Sequence, residues 1–212
     1  MSTVKRNYDS SRRQESAREN RRRVLEAARS RLLRDGYAAT TVAQIAADAD
    51  VAPQTVTKHF GNKPGIVKAL FDVALVGDDE GGALEARDNI VAIRDEPDAH
   101  RKLAMFAEAL AAMLPRTAPI QLLLREAGSD GELAQVWRTI KAGRLAGMTN
   151  LANNLAIGGH LRTGVTADDA RDVLWTYSSP ELFDLLVLER GWSTSRYAEF
   201  LTTATSALLL AQ

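Results

Sequence analysis

The stretch Thr40–Lys63, TTVAQIAADADVAPQTVTKHFGNK, predicts two short helices that meet at a sharp corner and lead into a third helix. Thr41 can cap the first of these helices with its hydroxyl group. Asp50 tolerates the left-handed conformation that a tight corner requires, and Pro53 suits the first turn of the second helix. This arrangement is typical of a helix-turn-helix, whose second helix enters the major groove of DNA.

The second helix, over residues 53–61, has two chemically different faces. Val56 and Phe60 lie four residues apart and are expected to point into a core. Gln54, Thr57 and Lys58 then point outward. Their amide, hydroxyl and ammonium groups are suited to base edges and phosphates, which predicts a DNA-reading surface. A solvated surface helix is the alternative interpretation.

The charge of the chain is divided between its two parts. Among 212 residues the formal net charge is zero. Residues 1–63 nevertheless hold 13 Lys and Arg against 7 Asp and Glu, whereas residues 64–212 hold 14 against 20. A basic segment joined to an acidic remainder indicates a nucleic-acid contact at one end, although solvated charge alone would give the same pattern.

The composition also excludes several classes of protein. Cysteine is absent, which rules out disulfides, thiolate metal sites and cysteine nucleophiles. No stretch approaches the roughly 18 apolar residues of a membrane span. We therefore expect a soluble cytoplasmic protein that has no contact with a membrane.

The N-terminal residues are strongly basic. Residues 1–15 are predicted to form a flexible arm, and Ser16 is predicted to open a helix that ends at Gly36. Positive charge in the first turns of that helix opposes its dipole, so a nearby phosphate backbone explains it better than helix stability does. The alternative is a solvated helix start with Glu19 and Glu26 as partners. The arginines concerned are Arg18, Arg21, Arg22 and Arg23.

A further helix begins after the corner helices. Asn62 can cap it and Pro64 fits its first turn. Free N–H groups at a helix start attract anions, so Lys63 is predicted to clamp a DNA phosphate there.

These features together resemble the N-terminal domain of TetR-family transcriptional regulators, over residues 17–72. The resemblance implies an all-α protein with a flexible basic arm (1–15), a helix-turn-helix DNA-binding domain (16–63) and a helical ligand-binding and dimerisation domain (64–212). In that family, ligand binding usually releases the protein from its operator. The residues that carry the resemblance are Gly36-Tyr37, Thr41-Val42, Ile45-Ala46, Val51, Thr55-Val56 and His59-Phe60-Gly61-Asn62-Lys63.

The resemblance also implies a set of DNA contacts and reveals three departures. Asp50 stands where glycine is common, Ala52 where a capping serine or threonine is usual, and Thr57 where a phosphate-binding tyrosine is frequent. The last two remove a helix cap and one backbone contact from the usual set. The expected DNA-binding residues are Thr41, Pro53, Gln54, Thr55, Thr57, Lys58, His59 and Lys63.

Residues 64–212 are predicted to be helical throughout. Residues 77–82 suggest an acidic exposed loop, and Pro115 is expected to end a helix that begins at Asp98. The other helices are expected over residues 86–93, 119–126, 132–157, from Thr166 to a break at Ser178-Ser179-Pro180, and from Ser193 onward. Segments within about 166–210 are apolar on more than one side, which favours a homodimer through a shared bundle over burial within one monomer.

A candidate effector pocket lies among these helices, although each of its residues also suits a plain core. Arg144 is the exception in an apolar row, and it either binds an acidic ligand group or is a surface arginine at the edge of that row. The pocket candidates are Phe106, Met113, Trp137, Arg144, Met148 and Trp175.

An enzyme would require a catalytic constellation, and the sequence offers none. The three histidines have no obvious partners in sequence, and there is no phosphate-binding glycine loop, nucleophile elbow or zinc signature. No catalytic residue, metal or cofactor is therefore expected.

The function indicated by these observations is that of a ligand-responsive homodimeric repressor. Its partners would be double-stranded DNA carrying a pseudo-palindromic operator and a small-molecule effector of unknown identity. One alternative is a DNA-binding accessory protein that senses no small molecule. Another is a helical enzyme with a borrowed DNA-binding domain.

Overall fold

The computed structural model describes residues 4–77, 88–127 and 131–211, with side chains from Arg12 onward. The regular elements in these ranges are all helices, as predicted, and one isolated bridge joins Leu161 to Leu210. The helices are α1 (Val4–Ala39), α2 (Val42–Asp48), α3 (Pro53–Phe60), α4 (Lys63–Val76), α5 (Asp88–Asp95), α6 (Ala99–Glu126), α7 (Gly131–Ile157), α8 (Ala167–Tyr177), α9 (Pro180–Phe183), a π-helical segment (Asp184–Glu189) and α10 (Thr194–Leu209).

Helix α1 begins earlier than the sequence predicted. It is helical from Val4, so the expected flexible arm and the helix start at Ser16 were wrong for residues 4–15, while residues 1–3 lie outside the described part. Residues 12–23 are rich in Arg, Glu and Gln, which are good helix formers, and no glycine or proline interrupts them. The predicted end is confirmed, because Gly36 has a φ of 81° and a ψ of 167° and breaks the helical path.

The two corner helices begin and end as predicted. The Thr41 side chain accepts a hydrogen bond from the Gln44 amide nitrogen, and the Gln44 side chain in turn accepts one from the Thr41 backbone. Asp50 occupies the left-handed region with a φ of 51°. Ala52 precedes α3 without any side-chain capping bond, so the departure noted at this position does leave the helix start uncapped.

One hydrophobic cluster joins the corner helices to the helices behind them. Its members from α2 and α3 include Ile45, Val56 and Phe60. Leu124 from α6 and Ile140 from α7 belong to the same cluster. The orientation of the corner helices is therefore set partly by the second half of the chain.

Helix α6 passes through two prolines, whereas Pro115 was predicted to end one helix and Pro119 to begin another. The structure shows one continuous helix, so this prediction was wrong. Near the prolines, side chains donate to carbonyl groups one turn back: Arg116 Nη1 donates to the Ala112 carbonyl at 2.9 Å and Thr117 Oγ1 donates to the Met113 carbonyl at 3.3 Å. Buried packing against α4 and α10 outweighs the local cost of the prolines.

The remaining helices largely match their predictions. The break at Ser178-Ser179-Pro180 separates α8 from α9, and Ser193 caps α10. Helix α5 ends two residues later than expected, and residues 86–87 at its predicted start lie outside the described part of the chain. The predicted acidic loop at 77–82 also falls outside the described residues except for Gly77. Within the described ranges, no helix combines the length and the apolar character needed to cross a membrane.

Candidate nucleic-acid interface

The two faces of α3 are separated as the sequence predicted. Val56 and Phe60 are buried, while Gln54, Thr57 and Lys58 are exposed. Helix α4 holds α3 closely from behind, because a β-carbon on Gly65 would lie only 2.0 Å from the Phe60 carbonyl oxygen. Only glycine allows this approach, so the outer face of α3 has a fixed orientation.

The polar groups of the outer face differ in how much of their bonding capacity is used. Thr57 Oγ1 donates to the Pro53 carbonyl at 3.2 Å, and Thr41 is occupied by its capping interaction. In the described part of the chain, the side chains of Gln54 and Lys58 make no hydrogen bond, which leaves their donors and acceptors available to a ligand. Thr55 is half-buried and Pro53 is exposed at the start of the helix.

His59 lies at the opposite end of α3, next to the N-terminal part of α1. A surface groove of about 330 Å³ is lined by His59 together with residues of that part of α1. The α1 residues are Arg12, Arg13, Ser16, Ala17 and Asn20. The basic segment of α1 therefore extends the positively charged surface beyond the end of α3.

Lys63 has internal partners that the sequence did not indicate. Its ammonium group donates to the carbonyl oxygens of Tyr37 and Thr40, both at 2.7 Å, and lies 3.9 Å from the centroid of the Tyr37 ring. Burial lowers the pKa of Lys63 from its ordinary value. Two of its three N–H bonds are thus used within the protein, and the phosphate contact stays a prediction that relies on the third.

The arginines of α1 are mostly engaged with the protein itself. Arg22 pairs with Glu19 at 2.7 Å and with Glu26 at 3.0 Å, which is the alternative that the sequence left open. The guanidinium of Arg21 lies 5.1 Å from the centroid of the Phe60 ring. Because α1 begins at Val4, these arginines lie inside the helix, where the end charges of the dipole have little effect.

Sequence reasoning missed the side-chain bonds that join α1 to the corner. Arg31 donates two hydrogen bonds to the Asp48 carboxylate, at 2.6 and 2.8 Å, and Arg23 Nη2 donates to the Asp50 carbonyl at 2.6 Å. The hydrogen bond from Arg31 holds the pKa of Asp48 below its ordinary value. The partners are far apart in sequence, so no local pattern could have paired them.

The six candidate pocket residues do not form a single cluster. Phe106, Met148 and Trp175 pack in one apolar cluster, and Arg144 lies against Trp175. Met113 packs in a second cluster with α10, which Phe106 also contacts, and Trp137 packs in the cluster behind the corner helices. Four of the six therefore lie together, Met113 is joined to them through Phe106, and Trp137 lies apart.

The fold and this surface define a helix-turn-helix protein with an all-helical second domain. Residues 24–70 match the family described as bacterial regulatory proteins, tetR family. An HTH-type transcriptional regulator of Bacillus subtilis strain 168, YvkB, which is described as uncharacterised, is 43% identical over 54 residues. That segment is 26% of this chain and 29% of the relative's length. The similarity in sequence to this family is thus confined to the N-terminal part of the chain, which contains the corner helices.

Solved structures extend the similarity to most of the chain. NalD, the secondary repressor of the MexAB-OprM multidrug efflux pump in Pseudomonas aeruginosa, matches with a TM-score of 0.71 and 21% identity, over 93% of this chain and 99% of NalD. The regulator FadR from Bacillus subtilis, in complex with stearoyl-CoA, matches with a TM-score of 0.69 and 21% identity, over 86% and 96%. At this identity the likeness establishes the fold.

Proposed function

We propose that this protein is a transcriptional repressor that binds a pseudo-palindromic operator as a homodimer in the cytoplasm and is released by a small-molecule effector. The observation that carries the proposal is α3, whose buried face fixes it on the domain and whose exposed face presents Gln54 and Lys58. Two such helices about 34 to 36 Å apart would enter successive major grooves. The DNA-binding residues proposed are those expected from the sequence.

Support for the homodimer comes from apolar side chains near the C-terminus. Leu185 and Leu188, both in the π-helical segment, are 53% and 52% exposed. Exposed leucines so close together are costly in water and favour burial against a second copy. We expect wild-type protein to have the mass of a dimer in light scattering, and a Leu185→Glu, Leu188→Glu variant to have that of a monomer.

Support for an effector comes from proteins of the same fold. FadR was solved with stearoyl-CoA, and NalD is described as a repressor. Band shifts on the DNA upstream of this protein's own coding region, with and without cell extract, test the idea directly. Sequence-specific binding that extract relieves supports the proposal, whereas specific binding that no extract changes favours an accessory protein without a ligand.

The DNA-reading face can be tested with one variant at each of two exposed residues of α3 and a control variant on α7. Lys58→Ala should weaken DNA binding on every sequence and reduce the slope of log affinity against log salt by about 1, because one phosphate contact is lost. Gln54→Ala should mainly reduce discrimination between operator and random DNA. The control is Arg138→Ala on α7, at an exposed residue whose hydrogen bonds among the described residues go to Gln135, and it should change neither quantity.

A further inference from the structure

Arg144 is a charged residue in an otherwise apolar row of α7. Ile140 precedes it by about one turn and Met148 follows it by about one turn, and both are buried. The guanidinium carbon lies 3.4 Å from the centroid of the Trp175 ring, so the cation is stacked on an aromatic face inside the second domain. Its side chain is half-buried, so it is neither a fully exposed arginine nor a fully enclosed one.

Part of the guanidinium has a structural explanation. Arg144 Nη1 donates to the Trp175 carbonyl at 2.7 Å and to Ser178 Oγ at 3.0 Å. Both acceptors lie at the C-terminal end of α8, where the carbonyl groups carry partial negative charge and favour a cation. One nitrogen of the guanidinium is accounted for in this way.

The rest of the guanidinium lacks an acceptor. Arg144 Nε is buried and has no hydrogen-bond partner. Among the described residues, no carboxylate lies within 4 Å of the guanidinium, and the nearby Glu181 is paired with Arg125 at 2.9 Å. Burial lowers the pKa of Arg144 to about 10, yet the group stays charged at neutral pH. A buried donor without an acceptor on a partly buried charge is unfavourable, and an anion would supply that acceptor.

Three other enclosed cations of the described residues have acceptors, whereas Arg23 Nε, like Arg144 Nε, is buried without one. Lys63 donates to two carbonyl oxygens, and Lys102 donates to the Arg94 carbonyl and the Asn154 side chain. Arg31 meets the Asp48 carboxylate with two parallel bonds. Arg144 offers the same planar pair of donors, a geometry that matches a carboxylate, but no acid of the described chain fills it.

The surroundings of Arg144 suit the apolar part of a small molecule. Phe106, Met148 and Trp175 belong to the apolar cluster beside it. Small-molecule sites combine such apolar walls with a few placed polar groups.

We propose that Arg144 binds the carboxylate of an amphipathic effector whose apolar or aromatic body lies against Phe106, Met148 and Trp175. This inference rests on the effector-responsive function proposed above and names the chemical class of the effector. Its head group would accept hydrogen bonds from Nε and from the free edge of the guanidinium.

The test uses acids and amides that share the same body. Octanoate with octanamide, and naphthalene-2-carboxylate with naphthalene-2-carboxamide, are titrated into the full-length protein by calorimetry. At least one acid should bind about tenfold more tightly than its amide, as expected for a charge-assisted pair. Failure of both acids to bind, or equal binding of acid and amide, would overturn the proposal.

Variants of Arg144 test whether this residue causes the tighter binding of acid over amide. Arg144→Met should abolish it, and Arg144→Lys, which keeps the charge but not the planar pair of donors, should reduce it by a smaller factor. Arg138→Met on the same helix should leave it unchanged. An acid preference that survives in Arg144→Met would overturn the proposal, and Arg144→Lys serves as the decisive variant if Arg144→Met does not fold. If neither acid binds the wild type and Arg144→Met loses the dimer, the missing anion is a partner subunit's carboxylate and the proposal is wrong.

The two proposals can fail separately. Acid binding is measured without DNA, so it stands even if no operator is found. Conversely, specific DNA binding that cell extract relieves would stand even if both acids fail to bind.

Discussion

The DNA-reading corner and helix α6 respond differently to residues that interrupt helices. Helices α2 and α3 are 7 and 8 residues long, and their ends coincide with local signals such as the Thr41 cap and the left-handed Asp50. Helix α6 runs for 28 residues straight through Pro115 and Pro119. The difference shows that local chemistry decides where short helices end, whereas packing along a long helix can outweigh a local breaker.

A second contrast concerns enclosed cations. Lys63 and Arg144 both lie over an aromatic ring and both donate to carbonyl oxygens near the end of a helix. Lys63 has two carbonyl acceptors and joins α4 to the segment after α1. Arg144 retains a buried nitrogen without an acceptor. The carbonyl oxygens beside Lys63 supply its acceptors, whereas Arg144 keeps one buried donor without an acceptor among the described residues.

Phe183→Ala is the strongest test of whether packing stabilises the structure around α6. Phe183 is fully buried and meets Tyr197 edge-on at 5.4 Å between ring centroids. We expect the free energy of unfolding to fall by about 4 kcal/mol, through lost burial and a cavity. Denaturant unfolding followed by circular dichroism measures this, with Ile157→Ala, at a position 88% exposed, as a near-neutral control. A loss below about 1 kcal/mol would show that α6 does not depend on this packing.

Lys63→Met separates the structural role of Lys63 from a phosphate contact. The change leaves the Tyr37 and Thr40 carbonyl oxygens without their charged donor, and we expect a loss of about 2 kcal/mol in unfolding free energy. A phosphate contact predicts in addition a salt slope smaller by about 1. Reduced DNA affinity with an unchanged slope would assign Lys63 to structure alone, and unchanged affinity at several salt concentrations would remove it from the interface. Lys68→Met, at an exposed residue paired with Asp72, is the matched control.

Pro115→Ala tests whether packing overrides a real local cost in α6. Pro115 is exposed, so the change creates no cavity, and the new N–H group can bond within the helix. We expect the free energy of unfolding to rise by about 1 to 2 kcal/mol, part of the roughly 3 kcal/mol that an internal proline costs. A fall in stability would mean that the proline is required by the packed arrangement.

Ala52→Ser adds the capping side chain that α3 lacks. A serine at this position can bond a free N–H group of the first turn, and we expect stabilisation by about 1 kcal/mol. Thr41→Ala should cost a similar amount at the start of α2, where the cap is present. Thermal unfolding of the two variants measures both effects, and no gain in Ala52→Ser would argue against local control of this helix end.

The smallest expected effect is that of Asp48→Asn, which weakens the bond between α1 and α2. Arg31 depresses the pKa of Asp48 in the folded protein, so the carboxylate contributes stability above its unfolded pKa of about 4. That contribution is lost as the pH falls through the depressed folded value. The variant should therefore be less stable than wild type at pH 7, with a difference that shrinks in acid. A difference independent of pH would exclude the ion pair as its cause.

The contrast between local signals and long-range packing also explains which features could be predicted from the sequence. Thr41, Asp50, Pro53 and Asn62 act on their immediate neighbours, so their effects were visible in the order of residues. The polar face of α3 followed from helical periodicity in the same way. By contrast, the bond from Arg31 to Asp48 and the carbonyl partners of Lys63 join distant parts of the chain, and no local pattern marks them.

The sequence by itself determined the all-helical class, the corner of the DNA-reading domain and the residues on its outer face, because these depend on caps, turn residues and a 3.6-residue period. Only the tertiary structure decided that α6 is continuous and that Lys63 faces two carbonyl groups. It also decided that Arg144 stacks on Trp175 and that its buried Nε has no hydrogen-bond acceptor among the described residues. These outcomes depend on which distant groups meet, and packing settles that.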